Sequence, residues 1–190
     1  MHYHNSNYSL IDRNGQRKYL NQKERKSFFS SLNLLERDMK LFCLMLFWSG
    51  ARISEVLNLK KESIDLIEST VILESLKKRR KGVYRQVPLP PRYITKLKVL
   101  LKERECKAKI WSFSRRTANR HIKKVMRHAK IGGSKACPKG LRHSFAIHCL
   151  INKIPLTLIK KWLGHSSLTT TSIYLDVANE EEAIFARMIW

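Results

Sequence analysis

Acidic residues are missing from a large part of this chain. From Cys106 to Leu175 there are 70 consecutive residues without one Asp or Glu, and the same tract carries 15 Lys+Arg. A solvated globular surface intersperses both signs, because like charges repel and opposite neighbours offset that cost. A one-sign tract this long points to a polyanionic partner, nucleic acid first and an acidic membrane surface second. The chain as a whole agrees: 38 Lys+Arg against 15 Asp+Glu in 190 residues give a formal charge of +23. Long hydrophobic runs are absent too. The longest, Leu41 to Trp48, has eight residues, too few to span a bilayer and suited to a buried core helix. The N-terminus, MHYHNSNYSL, lacks the apolar stretch of a secretory signal, so a cytoplasmic location is expected. The four cysteines (Cys43, Cys106, Cys137, Cys149) include no CxxC pair, and the seven histidines no HExxH. Reduced structural thiols are expected, and neither a metal site nor a bound cofactor.

What is present suffices for one ordinary domain, since 43% of residues are hydrophobic and 9% aromatic. Residues 1–20 are polar and turn-rich and read as a flexible N-terminal arm. Asn21 followed by Glu24 is a capping-box arrangement that opens a helix running to about Leu32. Glu36 to Trp48 reads as a buried helix stopped by Ser49-Gly50, and Arg52 to Leu59 as another. Ile64 to Ile67, Thr70 to Leu73 and Tyr84 to Pro88 are short β-rich runs. The last two are joined through Lys77-Lys78-Arg79-Arg80-Lys81-Gly82, a basic hairpin tip. Further helices are expected at about 91–103, 115–129, 139–152, 155–163, 167–177 and 179–188. The fold class is α+β, mostly helical, with a small antiparallel β-sheet. Acids return only at the end, where Glu180, Glu181 and Glu182 stand beside Ile184, Phe185, Met188 and Trp190. A helix over 178–190 would pack on its own domain or on a neighbouring protomer.

Three segments carry residue types suited to chemistry. Gly50-Ala51-Arg52-Ile53-Ser54-Glu55 places an Arg at a helix start after a small-residue turn. Pro138-Lys139-Gly140-Leu141-Arg142-His143-Ser144-Phe145 places Lys139 and Arg142 three apart on one helix face. Leu163-Gly164-His165 sets a His after a glycine stop, with Tyr174 nine residues later. Each has a plainer reading alone. Arg52 would pair with Glu55, Tyr174 would be a packing residue, and His143 and His165 would bond backbone at helix ends. Their order, inside or beside a tract built to meet an anion, shifts the balance.

Together the three segments resemble the signature boxes of the tyrosine recombinases (phage-integrase family), over about Asn21 to Trp190. The matches are a helix-opening Arg in G-x-R-x-S-E, the His/Lys-x-x-Arg box in P-K-G-L-R-H-S-F, and the L-G-H…Y box. The resemblance implies a DNA breaking-rejoining catalytic domain over 21–190. It also implies site-specific recombination through a 3′-phosphotyrosine intermediate. Tyr174 would be the nucleophile and Arg52 and Arg142 the clamp on the nonbridging oxygens. Lys139 and His165 would add hydrogen bonds and proton transfer, and a hairpin lysine would protonate the leaving 5′ oxygen. Spacing back from Val87-Pro88-Leu89 favours Lys78, with Lys77 and Lys81 open. Such chemistry suits the residue types: a nucleophile that stores bond energy, fixed cationic forks for the phosphoryl group and an acid for the leaving oxygen.

Lys139 stands where most of that family has His, and Lys is an accepted variant there. Lys77, Arg79, Arg80 and Lys81 on the hairpin are expected to grip the DNA backbone. So are Arg115, Arg116, Arg120, Lys123 and Lys124 on the helix from about 115. The expected partners are double-stranded DNA carrying a specific site and further copies of the chain, two per site and four in synapsis, with no membrane. Most members of the family have an N-terminal helical domain of about a hundred residues, and twenty arm residues do not replace it. The chain resembles short members such as the fimbrial inversion recombinases, or a truncated remnant. A type IB topoisomerase-like relaxing enzyme and a catalytically inactive DNA-binding relative are the alternatives.

Overall fold

Asn21 opens the first helix by a reciprocal exchange. Its side chain accepts the Glu24 N–H at 2.8 Å, and the Glu24 carboxylate accepts the Asn21 N–H at 2.9 Å. Two donors that the helix start would leave bare are thus satisfied, and α1 runs over Gln22–Ser31. The computed structural model describes residues 9–75, 82–105, 108–175 and 186–187. In chain order α1 is followed by α2 (Arg37–Ser49), α3 (Ile53–Leu57), β1 (Ile64–Asp65), β2 (Thr70–Glu74), β3 (Tyr84–Pro88), α4 (Pro91–Lys102), α5 (Arg115–His128), α6 (Pro138–Ile151), α7 (Leu156–Leu163) and α8 (Thr169–Ser172). A single 3₁₀ turn, Ile173–Leu175, follows α8.

The eight-residue apolar run makes α2 the central element, with residues 41–47 all buried. It packs above all against α6, and also against α3, α4 and α5. α4 starts on Pro91, where a missing N–H costs nothing, and buries Tyr93, Ile94, Leu97, Leu100 and Leu101 toward α2. The Tyr93 hydroxyl donates to the Leu41 carbonyl at 2.8 Å. α5 is amphipathic: Ala118, Ile122, Val125 and Met126 face inward while its basic residues face out. The sheet is antiparallel in the order β1-β2-β3, with Val71 opposite Val87 and Leu73 opposite Arg85. Alternation buries Val71, Leu73, Arg85 and Val87 on one face. The mostly helical α+β architecture with a small antiparallel sheet is therefore the one expected.

Three local expectations are corrected. Residues 9–20 are no free arm: Leu10, Tyr19 and Leu20 lie in the core, and Ile11 pairs with Arg17 across a turn. The Leu20 N–H donates to Ser144 Oγ on α6 at 2.6 Å, tying this segment to the helix that carries the second box. Residues 1–8 lie outside the described residues. β1 ends at Asp65 rather than Ile67, because the Asp65 carboxylate accepts the N–H groups of Ile67 and Glu68 and turns the chain. The helix expected over 167–177 is reduced to α8 and the 3₁₀ turn. A run of three threonines starts it, and β-branched residues extend helices poorly. The helix expected at 178–190 lies outside the described residues apart from Ala186 and Arg187. Cys43, Cys137 and Cys149 are free thiols, and burial pushes Cys43 and Cys149 up to about 12. No helix among the described residues is long and apolar enough to cross a membrane.

Candidate active site

Two helix stops build the seat for Arg142. α2 ends at Gly50 (φ 61°) and α7 at Gly164 (φ 67°), both in the left-handed region that glycine adopts without a Cβ clash. A Cβ on Gly50 would lie 2.4 Å from Phe145 Cδ1, so the stop also allows α2 to close on α6. The carbonyls of Gly50 and Leu163, at the two helix ends, accept from Arg142 Nη1 (2.8 Å) and Nη2 (2.6 Å). Helix C-termini carry partial negative charge, and they hold this guanidinium in one orientation while other donors remain for a ligand. Arg142 is buried, and burial together with nearby Arg52 lowers its pKa to about 9, which leaves it cationic at neutral pH.

Arg52 stands at the N-cap of α3 and donates through Nη1 to Glu55 Oε1 at 2.8 Å, as the plainer reading of the sequence expected. The other Glu55 oxygen accepts the Arg52 N–H at 2.8 Å. A third partner went unrecognised in the sequence. Arg85, on the buried face of β3, reaches Glu55 through Nη2 at 2.6 Å and Nη1 at 3.3 Å, and its Nε donates to the Trp162 carbonyl at 2.7 Å. The signal was strand parity, since Arg85 shares its face with Val87. Burial pushes the Glu55 carboxyl up, but Arg85 and Arg52 outweigh it and hold it below its ordinary value. Glu55 thus fixes Arg52 toward the cleft and Arg85 beneath it.

Tyr174 sits on the 3₁₀ turn, 1% exposed, and not on a long polar helix. Its hydroxyl lies 3.1 Å from His143 Nδ1. His143 was expected to bond backbone at a helix end; its contact with the phenol corrects that. The His165 ring lies nearly parallel to the tyrosine (11°, centroids 6.4 Å apart), and its Nδ1 is 2.9 Å from the Thr171 hydroxyl. Burial pushes the Tyr174 phenol up to about 12, against the pull of Arg142 and Arg52. Burial also drives His143 down to about 3, assisted by Lys139, Arg142, Lys18 and His165, so the imidazole is neutral.

These groups line one cleft of about 1220 Å³ that brings together Arg52, Lys139, Arg142, His165 and Tyr174. Lys139 is exposed in the first turn of α6. Arg115 and Arg116, at the start of α5, line the same cleft, while Arg120, Lys123 and Lys124 extend the exposed basic face of α5 beyond it. Lys77, Lys78, Arg79, Arg80 and Lys81 lie outside the described residues. Around the cleft Arg52, Arg85, Arg142 and Lys139 are balanced only by Glu55 among the described residues, so the site is short of negative charge. A phosphodiester would supply it.

Comparison with known proteins agrees with this geometry. The chain is 29% identical over 170 residues to tyrosine recombinase XerA of Thermococcus kodakarensis, covering 86% of this chain and 59% of that protein. It is 35% identical over 156 residues to tyrosine recombinase XerD of Neisseria meningitidis serogroup B, covering 75% and 51%. The chain thus spans a little over half the length of these relatives. Among solved structures, XerA recombinase superposes with a TM-score of 0.78 at 26% identity, over 90% of this chain and 64% of that one. The catalytic domain of bacteriophage HP1 integrase has the same fold, with a TM-score of 0.65 at 18% identity, over 89% and 93%. The phage integrase family model matches residues 18–181, which take in all three boxes and the cleft between them, and the chain belongs to that family.

Proposed function

We propose that this chain is the catalytic part of a site-specific DNA recombinase that cuts and rejoins strands by transesterification through a 3′-phosphotyrosine intermediate. The observation that carries this reading is the meeting of a tyrosine hydroxyl with Arg52 and Arg142 on one basic cleft, from segments over 120 residues apart in sequence. Tyr174 attacks phosphorus; the Tyr174 Oη–P bond forms and the P–O5′ bond breaks. Arg142, with two donors spent on helix-end carbonyls, and Arg52, braced by Glu55, neutralise the nonbridging oxygens as charge builds there. Lys139 and His165 add donors at the same phosphoryl group, and a lysine of the hairpin (Lys77, Lys78 or Lys81, spacing favouring Lys78) protonates the departing 5′ oxygen. Bond energy is held in the phosphotyrosine, so the free 5′ hydroxyl of another strand reverses the step.

The partners in this reading are double-stranded DNA with a specific site and further copies of the chain, two per site and four in synapsis. The protein acts in the cytoplasm, where the DNA is. The basic face of α5 grips the backbone.

The test begins with Tyr174→Phe protein, used to select a duplex from a random-sequence pool. A suicide version of that duplex, nicked so that the cut fragment diffuses away, is then given to both proteins. Wild type is expected to form an SDS-resistant covalent complex and Tyr174→Phe none. A complex that persists in Tyr174→Phe removes the nucleophile assignment. Efficient relaxation of a supercoiled plasmid lacking the selected site would instead indicate a type IB topoisomerase-like enzyme.

A further inference from the structure

Attack by a phenol requires that its proton go somewhere, and the cleft offers few takers. Arg52 and Arg142 are donors only, and Lys139 is one as an ammonium. The Glu55 oxygens are taken up by Arg52 and Arg85, and His165 has its Nδ1 on the Thr171 hydroxyl. Among the described residues, the side chain bonded to the Tyr174 oxygen is His143, through Nδ1 at 3.1 Å. Its other ring nitrogen, Nε2, is buried without a hydrogen-bond partner among the described residues. An imidazole has one proton when neutral. If the phenol donates to Nδ1, that proton resides on Nε2 and Nδ1 presents a lone pair to the reacting oxygen.

We infer that His143 is a catalytic residue, the general base that takes the Tyr174 proton as the phenol attacks DNA and returns it when the strand is rejoined. This rests on the recombinase reading above. The step balances: the Tyr174 O–H bond breaks and its proton moves to His143 Nδ1, the Tyr174 Oη–P bond forms, the P–O5′ bond breaks, and the 5′ oxygen takes a proton from the hairpin lysine of the reading above. Rejoining runs the same transfers backward.

The surroundings of His143 make the transfer depend on DNA. Lys139 and Arg142 on its own helix, Lys18 on the N-terminal segment and His165 after α7 all oppose a positive charge on its ring, and burial adds to them. In the empty cleft the imidazole therefore stays neutral and the buried phenol stays protonated. A phosphodiester seated between Arg142 and Lys139 supplies the missing negative charge. An imidazolium beside it then costs less, so the base gains strength only when there is a bond to cut.

The test uses His143→Gln, which keeps an amide able to bond the phenol but takes no proton. The substrate is the selected suicide duplex, and single-turnover cleavage is followed from pH 6 to 10. DNA affinity is expected to stay within a few-fold of wild type, with cleavage slower by about 10²–10³-fold near neutrality. That gap should narrow roughly tenfold per pH unit on raising the pH, because solvent then ionises the phenol directly. A 5′-bridging sulfur, which leaves without a proton and so needs no leaving-group acid, should leave the His143→Gln defect intact. Parallel pH profiles, or rescue of His143→Gln by the sulfur substrate, would overturn the assignment. If His143→Gln loses DNA binding, ¹⁵N shifts of the wild-type imidazole decide. An unprotonated Nδ1 supports the base and a protonated Nδ1 removes it. Failure of the recombinase reading looks different: Tyr174→Phe traps DNA, or wild type traps none.

Discussion

The Glu55 cluster allows the sharpest test of what holds the cleft together. The Glu55 side chain is 0% exposed and that of Arg85 5%, with Nη2 to Oε2 at 2.6 Å. Glu55→Gln removes the charge and leaves the buried Arg85 guanidinium without its counter-ion, with the Trp162 carbonyl and one amide oxygen as its acceptors. Removing one member of a buried ion pair costs about 3–5 kcal/mol, because the survivor stays desolvated and unpaired. Arg52 is partly solvated, and its share is below about 1 kcal/mol. The glutamine oxygen still accepts one bond, so the lower end applies, about 3 kcal/mol. For a domain of this size that is a fall in Tm of roughly 6–12 °C, read by calorimetry or circular dichroism. Glu55→Gln combined with Arg85→Met removes both charges and should return to within about 1.5 kcal/mol of wild type. The carboxyl is held below its ordinary value in the folded protein. Its contribution is therefore full above the ordinary carboxylate range and lost as pH falls through the lowered folded value, so wild type and Glu55→Gln should converge on acidification. A single variant within about 1 kcal/mol of wild type at neutral pH, or a double variant no better than the single, refutes the reasoning.

Gly50→Ala should cost about 2–4 kcal/mol in denaturant unfolding, from a left-handed φ and a Cβ pressed into Phe145; a loss under about 1 kcal/mol would show that α6 yields easily. Arg142→Lys keeps the charge but not the fork that spans the Gly50 and Leu163 carbonyls. Cleavage of the selected duplex should fall by about 10²–10³-fold with binding little changed, and equal losses of both would make the role merely electrostatic. Arg116→Ala, on the cleft rim, should weaken binding and lower the log–log salt slope by about 0.9, in filter binding across salt concentrations. An unchanged slope places Arg116 off the phosphates.

The elements legible in advance were those with local causes. The Asn21–Glu24 exchange, the apolar run of α2, Pro91 opening α4 and the glycine stops at 50 and 164 act within one turn of helix, and all stand where the sequence indicates. Errors arose where distant contacts overrode local character. Residues 9–20 look like an arm because they are polar and rich in turns, yet three apolar side chains, Leu10, Tyr19 and Leu20, anchor them in the core. Arg85 was not singled out in the sequence, and only a carboxylate arriving from α3, thirty residues earlier, permits its burial. His143 was read as an end-of-helix residue because its partner, Tyr174, lies 31 residues on.

By itself the sequence determined the family, the order of the three boxes and the excess of positive charge, because these depend only on residue type and spacing. Tertiary structure alone decided which donors of Arg142 are spent, what braces Arg52 and what touches the tyrosine hydroxyl. The physical reason is that hydrogen bonding and burial act over a few ångströms. The side chains concerned come from α3, β3, α6 and the turn after α8, and only the packing of α6 against α2 and α7, and of α7 against β3, brings them within that range.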